Sequence, residues 1–122
     1  MGENLAELTV RRWFVKESFE NENLVPTLES VKKMVESNSL GGFKKSVAAL
    51  YDYDMTSEVK SSVVNGAFIV GGGDGVLPDA MKRMATDYGK SGAEYVVIDE
   101  AGHLPMVEKP KEFADAVMKL LA

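Results

Sequence analysis

The sequence predicts an α/β chain: a helical segment over residues 1–60, followed by a β-α-β-α unit over residues 61–122 that contains a parallel strand pair. Two features lead to this reading. Up to about Lys60 the apolar residues recur three and four positions apart, the period of one face of a helix. Beyond it, two short apolar runs rich in β-branched residues are each followed by glycine, and the stretch between them is again helical in pattern. Strands separated by a helix pair in parallel, because a crossover of that length returns the chain to the same end of the sheet. With 122 residues, 45% of them apolar, the chain has the size and composition of one compact unit.

Within the helical segment, Leu5, Leu8, Trp13 and Phe14 mark a first helix, Leu28, Val31, Met34 and Val35 a second, and Phe43, Val47 and Leu50 a third. Glu20-Asn21-Glu22-Asn23 reads as a polar turn, Pro26 suits the start of the second helix with Thr27 as its cap, and Gly41-Gly42 opens the third. Ala67-Phe68-Ile69-Val70 is the first strand, stopped by Gly71-Gly72-Gly73. Glu94-Tyr95-Val96-Val97-Ile98 is the second, and both are expected to be buried. Between them Pro78 starts a helix running through Met81 to Ala85, and Phe113, Val117, Leu120 and Leu121 give the last helix an apolar face.

Charge and composition exclude several classes. The 14 basic and 19 acidic residues give a net charge of −5 and are interspersed, so no basic stripe exists to bind nucleic acid. No apolar run reaches the roughly 20 residues of a membrane span. The first residues, Met1 to Glu7, are acidic where a signal peptide is basic. A cytoplasmic location without a membrane partner is expected. The absence of cysteine and the single histidine leave no disulfide and no zinc centre, and no metal or other cofactor is implied.

Catalytic groups in a parallel sheet collect at the carboxyl ends of the strands, and two polar candidates stand there. Asp74 follows the first strand in Gly71-Gly72-Gly73-Asp74-Gly75-Val76-Leu77-Pro78, and the sole histidine follows the second in Ala101-Gly102-His103-Leu104-Pro105. Each alone is ordinary, since Asp-Gly is a common turn pair and a loop histidine often bonds to backbone. Together, after successive strands, they make a carboxylate–imidazole pair. The carboxylate accepts a hydrogen bond from one ring nitrogen and fixes the tautomer, which leaves the other nitrogen as a general base toward a hydroxyl nucleophile.

These residues resemble the C-terminal half of the α/β-hydrolase fold, whose triad runs nucleophile, acid, histidine in chain order. Gly71-x-x-Asp74-x-x-x-Pro78 looks like its acid loop, and Gly102-His103-Leu104-Pro105 with Glu108, Pro110 and Phe113 looks like its histidine loop and final helix. Thr9 to Phe14, Gly41-Gly42-Phe43 through Leu50, and Asp52-Tyr53-Asp54 are similar to the lid of 3-oxoadipate enol-lactonases and their fungal hydrolase relatives. The resemblance implies a truncated α/β-hydrolase fold, with a lid or cap over residues 1–60 and a core part over 61–122. It also implies Asp74 as the acid and His103 as the base of a lactonase- or esterase-like site.

One part of that site is missing. No Gly-x-Ser-x-Gly occurs, and Ser91 in Gly89-Lys90-Ser91-Gly92-Ala93 is one residue out of pattern. Gly71-Gly72-Gly73 lacks the Lys-Ser/Thr ending of a phosphate loop. The chain is therefore expected to be inactive alone, its serine coming from a complementing N-terminal hydrolase half that handles a small-molecule ester or lactone. The alternatives are a non-catalytic homodimer and a small-molecule binding module. The homodimer follows from the first strand, which would leave one edge and the flanking helix faces uncovered. Trp13, Phe14 and Phe43 are expected to pack, and Met34, Met55, Met81, Met84 and Met106 to fill gaps in the core.

Overall fold

A computed structural model of the chain describes residues 2–122. Helix α1 (Glu3–Trp13) carries Glu3 in its first turn and Arg11 and Arg12 in its last, charges that match the helix dipole at both ends. It buries Ala6 and Val10, four residues apart, and Phe14 just beyond its end. A 3₁₀ turn (Lys16–Glu20) follows. The polar turn closes at Asn21, whose carbonyl accepts from the Leu24 and Val25 amides and whose side-chain oxygen accepts from the Asn23 amide. Helix α2 (Val25–Ser37) starts there, with Pro26 in its first turn. Thr27, expected as the cap, lies inside that turn instead, because the Asn21 carbonyl already serves the leading amides.

Helices α1 and α2 pack through Ala6, Val10, Phe14, Leu28 and Val35, with Phe19, Leu24, Val31, Leu104 and Val107 around them. An ion pair spans the two helices, Lys32 Nζ standing 2.8 Å from Glu7 Oε2. The bond to Lys32 holds the Glu7 carboxyl below its usual range, and the same bond raises Lys32. A depressed carboxyl of this kind favours the folded chain above the ordinary glutamate range, and that contribution fades as the pH falls through the lowered value.

Helix α3 (Leu40–Asp52) is capped by Ser39, whose hydroxyl accepts from the Gly42 amide at 3.2 Å. None of its residues is buried, so the packing expected of Phe43 is not found: Phe43 is 44% exposed and Leu50 64%. The expected filling of the core by methionines fails in the same way, with Met34, Met55, Met84 and Met106 all exposed. A short helix that the periodicity did not reveal, α4 (Thr56–Lys60), begins where the Asp54 carboxylate accepts from the Thr56 amide and hydroxyl.

Strands β1 (Ala67–Gly71) and β2 (Glu94–Ile98) are parallel, in a register running from Ala67 opposite Glu94 to Gly71 opposite Ile98. Helix α5 (Leu77–Thr86) connects them, with Pro78 in its first turn, and packs on both strands. A short helix α6 (Pro105–Glu108) leads into α7 (Pro110–Leu121), which packs on β2. Helical segment and β-α-β-α unit thus follow the expected order. The strands are less covered than expected: Val70 and Ile98 are buried, whereas Ala67 and Val97 are exposed, since few elements flank a pair of strands. Among the described residues no helix is long and apolar enough to cross a membrane.

At the carboxyl ends of the strands three segments meet backbone to backbone. A Cβ on Gly71 would stand 2.0 Å from the Gly102 carbonyl oxygen, and one on Gly102 would stand 2.4 Å from the Trp13 carbonyl oxygen. A Cβ on Gly73 would meet Val15 Cγ1 at 2.6 Å. The glycine run after β1 is thereby accounted for by close approach. Gly71→Ala is expected to destabilise the chain by about 3 kcal/mol in denaturant melts, because backbone must move to admit the methyl group. Gly75→Ala, at φ +55 but with nothing within 4 Å, is expected to cost about 1 kcal/mol from conformation alone. Equal costs at the two positions would contradict the close-packed arrangement.

Candidate active site

The acid loop is an extension of the sheet. The Gly72 amide continues the ladder to the Ile98 carbonyl at 2.9 Å, and the Gly73 amide crosses to the Ala101 carbonyl at 2.8 Å. The chain then turns tightly, the Asp74 amide bonding to the Gly71 carbonyl and the Asp74 carbonyl receiving the Leu77 amide that leads into α5. Asp74 is thus fixed by its own backbone on both sides, and its side chain is only 17% exposed.

The histidine loop follows β2 through Glu100, a non-glycine residue in the left-handed region at φ 54, and through Ala101 and Gly102, both buried. The His103 amide donates to the Trp13 carbonyl at 2.6 Å, so the loop is anchored on the end of α1. His103 Nδ1 lies 2.8 Å from Asp74 Oδ2. An ionised carboxylate only accepts, so a neutral ring bonded to it carries its hydrogen on Nδ1 and its lone pair on Nε2. The imidazole side chain is 43% exposed, and one face of the ring stacks on Trp13, with centroids 5.9 Å apart and planes 27° off parallel.

The two residues predicted from the sequence are therefore brought together, in loops after neighbouring parallel strands. Two others were missed as members of the site. Trp13 was expected only to pack, yet its ring and carbonyl both touch His103. Glu108 stood in the histidine-loop motif without a role. It is 7% exposed, and its carboxylate accepts from the Val15 amide at 2.9 Å, the Ser18 hydroxyl at 2.6 Å and the Gly102 amide. The available signal was a carboxylate set among Val107, Pro105 and Pro110, a place where an unpaired charge is costly.

Ser91 does not join them. It lies in the turn that precedes β2, at the amino end of the strands, where a cleft of about 900 Å³ is lined by Ser62, Tyr88, Lys90, Ser91 and Leu120. A five-residue strand, roughly 16 Å long, separates that end from the Asp74–His103 pair. Among the described residues no group of three or more His, Cys, Asp or Glu side chains is placed to hold a metal ion. What the site holds is an oriented acid–base pair: a carboxylate that sets a tautomer and an imidazole nitrogen able to take and return a proton.

A solved thermophilic esterase from Thermogutta terrifontis, with malate bound, has the same fold over this chain, with a TM-score of 0.83 at 25% sequence identity. The match covers 97% of the chain and 43% of the esterase, so the chain spans less than half of that enzyme's length. No curated protein matches it. The helical segment and β-α-β-α unit with a parallel strand pair are accordingly part of an α/β-hydrolase fold. The model of the Ndr family matches residues 1–122, and the chain belongs to that family, one of the α/β-hydrolase fold.

Proposed function

We propose that this chain contributes the acid–base half of a serine-hydrolase site for esters or lactones, with Asp74 as the orienting acid and His103 as the general base. The serine comes from a segment outside residues 1–122, in the same or a second polypeptide. The observation that carries the reading is the 2.8 Å contact of His103 Nδ1 with Asp74 Oδ2 at the carboxyl ends of two parallel strands. Asp74 keeps the lone pair on Nε2. A serine hydroxyl presented there gives its proton to Nε2 as its oxygen attacks the acyl carbon, and the imidazolium returns that proton to the departing alkoxide. The negative charge of Asp74 stabilises the imidazolium between the two transfers.

The extent of the likeness to the esterase supports this, since the unmatched remainder of a hydrolase fold has room for the early strands, the oxyanion-hole loop and the nucleophile elbow. Residues 1–60 act as the lid in this reading. Trp13 beside the imidazole and the exposed Phe43 on α3 offer apolar surface to an acyl group or an enol-lactone ring.

A second reading is supported by a separate observation. Helix α3 exposes Leu40, Phe43, Leu50 and Tyr51, and β1 has β2 on one side only, which favours a self-associating, non-catalytic protein.

The purified chain is expected to hydrolyse p-nitrophenyl acetate no faster than its His103→Ala variant. Mixed with a hydrolase N-terminal half that carries a nucleophile elbow, it is expected to gain turnover that Asp74→Asn lowers by about 10⁴-fold. Complemented turnover indifferent to His103 would end the acid–base reading. Light scattering tests the alternative: a doubled mass that returns to one chain in Leu50→Asp supports self-association through α3, and a single-chain mass throughout removes it.

A further inference from the structure

The hydrogen bond to Asp74 fixes only one atom of the His103 ring. That bond by itself would leave the imidazole free to swing about the Nδ1···Oδ2 line, on the side where the ring is exposed. We propose that Trp13 is a positioning residue that removes this freedom, and that Glu108 holds Trp13 and His103 in register. The proposal rests on the acid–base reading only in giving the orientation of His103 a catalytic use.

Three observations bear on the same pair. The indole stacks on one face of the imidazole at 5.9 Å, so rotation of the ring meets a flat apolar wall. The Trp13 carbonyl accepts from the His103 amide at 2.6 Å, so the residue that covers the ring also fixes its backbone. The Glu108 carboxylate then bonds on either side of this contact. One oxygen takes the amide of Gly102, immediately before His103, and the other takes the amide of Val15, two residues after Trp13, together with the Ser18 hydroxyl. Gly102 permits the approach, since a Cβ there would meet the Trp13 carbonyl oxygen. A buried carboxylate shared by two amides sets the spacing of the two segments more firmly than apolar contact does, because loss of either bond leaves a buried charge undersatisfied. Trp13 is the last residue of α1, so a displacement of that helix changes the stacking and with it the direction of Nε2.

The chain contains one tryptophan and one histidine, which makes the contact directly readable. An imidazolium in contact with indole quenches its fluorescence. Trp13 emission is therefore expected to fall in a single step as His103 protonates, with the same midpoint as the His103 ring signals in NMR, and the step is expected to vanish in His103→Gln. In the neutral ring the nitrogen shifts should report the Nδ1–H tautomer. Trp13→Ala is expected to shift them toward a tautomer mixture, and Trp13→Phe, which keeps a flat ring, to restore them. Glu108→Gln, whose amide keeps one acceptor and the side-chain volume, is expected to weaken both signatures while helix content by circular dichroism is unchanged. Emission that stays flat through the titration of His103, or ring shifts that are identical in Trp13→Ala, would overturn the role of Trp13. Unchanged signatures in Glu108→Gln would overturn that of Glu108. All of these are read on the isolated chain without a nucleophile. Intact signatures with no His103-dependent hydrolysis after complementation refute the acid–base reading alone. Absent signatures with such hydrolysis refute the positioning role alone.

Discussion

The buried carboxylate of Glu108 is the constraint on which the arrangement at the carboxyl ends of the strands depends. A charge removed from water must be met by donors, and here these come from three places in the chain: Val15 and Ser18 after α1, and Gly102 before His103. The positions it joins are some ninety residues apart in sequence, so this single side chain ties the helical segment to the histidine loop. Glycine supplies the complementary condition. At Gly71, Gly73 and Gly102 the segments approach more closely than any side chain allows, so attraction by the carboxylate and absence of obstruction act on the same contact.

From that contact the geometry of the acid–base pair follows. The parallel register brings Gly71 level with Ile98, so the two loops leave the sheet at the same height. The Gly73 amide then bonds to the Ala101 carbonyl and holds the loops side by side. Asp74 and His103 face each other because their backbones are already joined, and the 2.8 Å contact closes an arrangement that the sheet and the clasp have set up.

What the sequence disclosed divides along the same line. The bounds of β2, the start of β1 and the place of Pro78 in α5 were legible because β-branched runs, glycine stops and proline act locally. Asp74 and His103 were legible because strand ends are where such groups gather and because each sits in an ordered motif. The roles of Glu108 and Trp13 were not, since they depend on partners far away in the chain and on a rotation of the ring that no spacing encodes. The exposure of Phe43 and of Met34, Met55, Met84 and Met106 was misjudged for a related reason. Helical periodicity shows that a face is apolar but not whether another element covers it, and α3 has an apolar face without burying any residue. Helix α4, at five residues, is too short to carry a period.

Every bond that orients the imidazole lies within the chain. The Asp74 turn is closed by Gly71 and Leu77, the His103 amide by Trp13, and the loop spacing by Glu108. None of them calls for a serine, a substrate or an oxyanion hole. The Asp74–His103 geometry is therefore set when this chain folds, and under the proposed acid–base role the reorganisation that would oppose proton transfer in water is complete by then. In the proposed acid–base role the pair needs only a hydroxyl brought to Nε2 and donors for the oxyanion. An ordered Asp74–His103 pair is therefore compatible with the expectation that the chain alone does not turn over an ester.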